Sequence, residues 1–149
     1  MKFEAALDGH CEQAIIKYLS GEYSLDTYPL VEGSDFDLAL NTLNLSVVDQ
    51  CVVQIWGYLG NVKTNPSKLG EPNFRAGKLK VLDEFEWGFS YRINSTTLPV
   101  HFDEYAGWIC IGDQKPQQTG VEFIKNCVGF LDQDGSLSSL WIKPVFVDE

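Results

Sequence analysis

Apolar and polar residues alternate most cleanly between residues 85 and 93, where Phe85, Trp87, Phe89, Tyr91 and Ile93 are separated by Glu86, Gly88, Ser90 and Arg92. A period of two puts successive side chains on opposite faces of a strand, so this run predicts one aromatic face that needs a core or a partner to cover it. Shorter alternations recur along the chain: Phe3, Ala5 and Leu7; Phe36, Leu38 and Leu40 set among Asp35, Asp37 and Ala39; and Leu79 and Val81 set between Lys78 and Lys80. Leu43, Leu45 and Val47 repeat the pattern in the opposite phase, which requires a bulge or tight turn near residues 41–43. Residues 51–59 (CVVQIWGYL) and 107–111 (GWICI) are apolar on both faces and predict central strands. Val100, His101 and Phe102 read as a further short strand, and Val145 to Val147 as an edge segment behind Pro144. Residues 127–131 and 137–142 flank Asp132-Gln133-Asp134-Gly135, which predicts a hairpin.

Two stretches carry helical signals instead. Over residues 9–20, Cys11, Ala14, Ile15, Tyr18 and Leu19 fall at the spacing of an apolar helix stripe, with Gly21 as the stop. Thr119 and Glu122 fit a capping box, predicting a helix over residues 120–126. Residues 22–34 are rich in turn formers, and residues 60–77 form the longest aperiodic loop. The expectation is therefore one domain over residues 1–149, of α+β class, mainly antiparallel β with about eight strands and two short helices.

Charge narrows the choice of partner. Lysine and arginine number 11 against 21 aspartates and glutamates, a formal net charge of −10, which disfavours nucleic acid and anionic membranes as ligands. No run of 18 apolar residues occurs, and the opening MKFEAALDGHCEQ lacks a signal-peptide core, so the expected address is cytoplasmic. The acidity is also segregated. No basic residue stands between Lys17 and Lys63, whereas Lys63, Lys68, Arg75, Lys78 and Lys80 gather just before Asp83, Glu84 and Glu86.

Candidate chemistry is sparse. The only imidazole bases are His10 and His101, and no nucleophile elbow or zinc-protease motif accompanies them. Adjacent His10 and Cys11 would diverge by about 100° on a helix. Cys11, Cys51, Cys110 and Cys127 are too scattered for a zinc-ligand spacing. Residues 132–135 resemble the start of an EF-hand loop, but Lys143 stands where the bidentate glutamate belongs. His101 with Asp103 or Glu104 is the one metal-site alternative, and it would make the chain a small metal-dependent hydrolase. The reading preferred over it has no catalytic residue, metal or cofactor.

The small acidic chain, its four tryptophans and the closing run GWICIGD…TGVEFIKNCVGFLDQDGSLSSLWIKP over residues 107–144 together resemble bacterial immunity proteins, which neutralise secreted or contact-delivered toxins. The resemblance implies a stoichiometric inhibitor without turnover, whose partner is a basic toxin domain and often a nuclease. Asp35, Asp37, Asp83, Glu84, Glu86, Asp103 and Glu104 are the residues expected to form its acidic partner-binding face.

Overall fold

A computed structural model describes residues 1–148 and contains fifteen strands. They are Phe3–Ala6 (β1), Ile15–Leu19 (β2), Ser24–Tyr28 (β3), Phe36–Leu40 (β4), Leu43–Val48 (β5), Cys51–Tyr58 (β6), Phe74–Ala76 (β7), Lys78–Val81 (β8), Ser90–Arg92 (β9), Val100–Phe102 (β10), Ile109–Gly112 (β11), Gly120–Ile124 (β12), Cys127–Leu131 (β13), Leu137–Ile142 (β14) and Val145–Val147 (β15). The one helical element among the described residues is a three-residue 3₁₀ turn at Val62–Thr64. The fold is thus nearly all β, which corrects the α+β expectation of two helices and about eight strands.

Both predicted helices are strands, for separate reasons. In β2, Ile16 and Tyr18 turn inward while Ile15 faces out, and the strand pairs antiparallel with β3 across Gly21. The i, i+3, i+4 spacing over residues 9–20 also contains an i, i+2 pattern, and pairing with β3 selects it. Residues 120–124 instead pair with β13 on one edge and β7 on the other, and every residue of β12 is buried, as in a strand covered on both faces. The Glu122 carboxylate, expected to cap Thr119, instead accepts from the Asn126 N–H at 3.0 Å.

Nine strands form one mixed sheet, along the path β15-β2-β3-β6-β5-β4-β9 with β8 and β1 branching from β6; β10-β11-β14-β13-β12-β7 form the second. The pairs β2–β15, β4–β9 and β7–β12 are parallel. Long β6 pairs with β5 along its length, and its other edge is shared by β8 at one end and β3 at the other. Where β3 leaves that edge, the buried Thr27 hydroxyl donates to Ile55 C=O at 2.7 Å and accepts from Ile55 N–H at 3.1 Å, replacing the lost ladder. Gly77 carries the chain from the second sheet into the first between β7 and β8, where any Cβ would collide with the Ala6 carbonyl.

The sheets share one core. Leu25, Leu38, Leu45, Ile55 and Leu79 of the first meet Ile109, Ile111, Phe123, Leu140 and Ile142 of the second. Trp108, Cys110, Val128, Phe130 and Trp141 lie on the outer face of the second sheet, where Leu69 of the loop before β7 and Phe74 at the start of β7 pack against them. The middle strands of the second sheet are therefore buried on both sides, which explains the largely apolar sequences of β11, β12 and β13.

Candidate functional site

The aromatic run of residues 85–93 folds back instead of extending. Phe85 and Tyr91 stack with ring centroids 4.2 Å apart and planes 25° apart, and both pack against Phe36 of β4. Six residues of extended chain would separate them by about 20 Å, so the predicted continuous strand cannot form and only β9 remains of it. Gly88, at φ +83°, makes the reversal. The Tyr91 hydroxyl closes the base, accepting from Glu86 N–H at 3.1 Å and donating to Glu86 C=O at 3.2 Å. The aromatic face consequently splits. Phe85, Tyr91 and Ile93 join the core, while Trp87 and Phe89 stand outside, 72% and 58% exposed.

Backbone bonds draw acidic residues around this arch. The Gly88 N–H donates to Asp35 C=O at 2.7 Å, and the Asp37 N–H donates to Phe89 C=O at 3.1 Å. The Asp49 N–H donates to Asp35 Oδ2 at 2.8 Å. Gln50, beside it, donates from Nε2 to the carbonyls of Val81 and Asp83. Asp35, Asp37, Asp83, Glu84 and Glu86 are thereby gathered at one end of the first sheet. Asp83 accepts from the Lys2 backbone N–H, and Asp37 from the Ser34 hydroxyl. Among the described residues the ion pairs are Lys2–Asp134 and Lys78–Asp8, so none of these five carboxylates is neutralised by one. A cleft of ≈ 570 Å³ opens beside the arch, between Lys80, Leu82, Glu84 and Trp87.

Asp103 and Glu104 lie elsewhere, just after β10 in the second sheet. Asp103 is buried, and its carboxylate accepts from Leu69 N–H at 2.8 Å and from Tyr105 and Ala106 N–H at 3.1 Å each. These donors, Ala106 first, hold its carboxyl below the usual aspartate range. Its work is to pin the long loop onto the turn after β10. Glu104 is exposed on that turn. His101 Nδ1 lies 3.1 Å from Asn65 Nδ2 and 3.2 Å from Ser67 Oγ, and its Nε2 lies 3.1 Å from Gln114 Nε2. The strand ends at Phe102, so Asp103 turns into its own loop instead of sharing a face with His101. Among the described residues, no group of three or more His, Cys, Asp and Glu side chains is placed to hold a metal ion.

The thiols are not activated. Burial pushes all four cysteines up, Cys110 to about 12 with help from Asp113, and Cys127 well above the ordinary value. Cys11 sits 3.8 Å from the Glu122 carboxylate, which adds to the effect of burial.

Trp87 and Phe89, expected in one aromatic face with Phe85, Tyr91 and Ile93, and Asp49 lie outside the acidic set expected from the sequence. The signal for the first two was Gly88 between them, a turn former inside an otherwise regular strand pattern. Asp49 is brought in by a hairpin whose neighbours are distant in sequence. Compared with models of known protein families and with curated protein sequences, the chain matches none. Among the described residues, no helix is long and apolar enough to cross a membrane.

Proposed function

We propose that this protein is a binding protein that docks a basic protein partner through the arch at residues 85–91, in the manner of an immunity protein occupying a toxin. The observation that carries the reading is the exposure of Trp87 and Phe89 on a braced arch beside carboxylates that, among the described residues, form no ion pair with lysine or arginine. Exposed aromatics on a held backbone supply contact area at low entropic cost, and interface hot spots are enriched in tryptophan. Unpaired carboxylates around them steer a cationic surface inward and disfavour acidic competitors. Asp35, Asp37, Asp83, Glu84 and Glu86 belong to this face; Asp103 and Glu104, on the other sheet, fall outside it. Inhibition by occupancy requires no catalytic group of the protein's own.

The test is calorimetric titration of the purified protein with the purified product of the neighbouring reading frame, at low and at raised salt. A saturable one-to-one complex that weakens with salt is expected. Trp87→Ala should lower its affinity roughly tenfold or more, and the pair Glu84→Gln with Glu86→Gln should flatten the salt dependence. The absence of any complex at low salt, or one indifferent to all three substitutions, defeats the proposal.

A further inference from the structure

The arch leads directly into β9, the terminal strand of the first sheet. β9 pairs with β4 in parallel, with Asp37 opposite Ser90, Leu38 opposite Tyr91 and Ala39 opposite Arg92. The Asp37 N–H donates to Phe89 C=O, and the Ile93 N–H donates to Ala39 C=O. This register turns the backbone groups of Phe89, Tyr91 and Ile93 toward β4, so the N–H and C=O of Ser90 and Arg92 point away from the sheet. Both residues are exposed, and among the described residues nothing hydrogen-bonds those four groups. The outer edge of β10, at the end of the second sheet, is instead closed by residues 65–67, since Phe102 N–H donates to Asn65 C=O and Ser67 N–H donates to Phe102 C=O.

Natural proteins blunt open edges with lysines, prolines or bulges, because an unpaired row of backbone groups recruits another strand. β9 has no proline or bulge, and its one cation, Arg92, is drawn back to the Asn41 carbonyl at 3.3 Å. Adjoining this edge are the exposed side chains of Trp87 and Phe89 and the carboxylates of Asp35, Asp37 and Glu86.

We infer that the partner enters as an extended segment carrying lysine or arginine, which adds as a further strand to the free edge of β9. This rests on the binding reading above and deepens it by stating the form of the ligand. Backbone pairing supplies up to four hydrogen bonds without regard to side chain, and the aromatic and acidic surroundings select apolar and cationic residues along the added strand. The short edge limits pairing to a few residues, so the anchors at Trp87 and Phe89 must contribute the remaining affinity.

The experiment is a nuclear magnetic resonance titration of the full chain with a blocked octapeptide of alternating lysine and valine, and with its glutamate–valine counterpart. The basic peptide is expected to shift the Ser90 and Arg92 amides and to slow their hydrogen exchange at least tenfold, whereas the acidic peptide leaves them unchanged. Ser90→Pro, which removes one outward N–H from an exposed position, should weaken the basic peptide at least tenfold with the β4 and β5 resonances unmoved. If that variant misfolds, exchange protection in the unaltered protein still decides the matter. Binding that perturbs the Trp87 indole but leaves both amides unprotected overturns strand addition while preserving the charged aromatic face. No binding of the basic peptide, or equal binding of the acidic one, also overturns it, and the titration with the neighbouring gene product decides the parent reading independently.

Discussion

Three backbone N–H groups converge on the Asp103 carboxylate, and that arrangement ties the stability of the protein to its ionisation. The folded carboxyl binds its proton more weakly than the unfolded one, which titrates near roughly 3.9. Its contribution is therefore complete above that value and disappears as the pH falls from there through the lower folded value. Asp103→Asn keeps the shape but lacks one acceptor oxygen, so thermal unfolding should find the variant less stable at neutral pH. The gap should close in strong acid. A gap that does not narrow as the pH falls below the ordinary aspartate range would mean that the charge of Asp103 plays no part. At the same scale, Asp103 illustrates how residue type misleads: an aspartate two places from a histidine suggests a metal site, and only its neighbours reveal a turn anchor.

Hairpins make the elements, and the turn between β4 and β5 was expected from its sequence. Asn41 and Thr42 join β4 to β5 with Asn41 at φ +53°, the tight turn demanded by the reversal of apolar phase there. Asp49 and Gln50 join β5 to β6, both in the left-handed region at +52° and +64°. Such a two-residue turn favours Asn-Gly, so glutamine in its second place costs about 1 kcal/mol. What retains Gln50 is its side-chain amide, which holds the carbonyls of Val81 and Asp83 at the foot of the arch. Gln50→Gly should relieve the strain and forfeit two bonds worth about 0.5–1.5 kcal/mol each, leaving global stability lower by no more than about 2 kcal/mol. The amides of residues 83–88 should then show reduced order parameters and faster exchange. Unchanged dynamics in that segment would mean that Gln50 does not brace the arch. The arch itself was half legible, since the aromatic positions were evident and the stacking of Phe85 on Tyr91 was not.

For the whole molecule, the shared core couples the two sheets. Leu140 is fully buried, opposite Ile111 of β11 on one side and Gly129 of β13 on the other, within the cluster that both sheets contribute. Leu140→Ala should cost about 2–5 kcal/mol. In both proteins, unfolding followed by circular dichroism and by tryptophan fluorescence should give coincident curves, because Trp108 and Trp141 sit on the outer face of the same sheet. Separate transitions would show that the surroundings of the tryptophans and the sheets they sit on do not melt as one unit.

Local pattern was sufficient at some pairs of strands that are neighbours in sequence, though not at β2–β3 or β12–β13. The β4–β5 and β13–β14 hairpins, the central position of β6 and the acidic character of residues 83–86 all followed from side-chain order, because period and turn chemistry act over a few residues. Tertiary structure alone decided that residues 15–19 and 120–124 are strands, that Asp103 is an internal anchor, and that Trp87 and Phe89 face outward beside Asp35 and Asp49. Each of those outcomes depends on a partner outside the segment itself: β3 and the distant β15 beside β2, two faces of cover over β12, Leu69 above Asp103, and Phe36 beneath the arch. Periodicity in one segment carries no information about which distant surface will bury it, and burial is what selects among the conformations that a pattern permits.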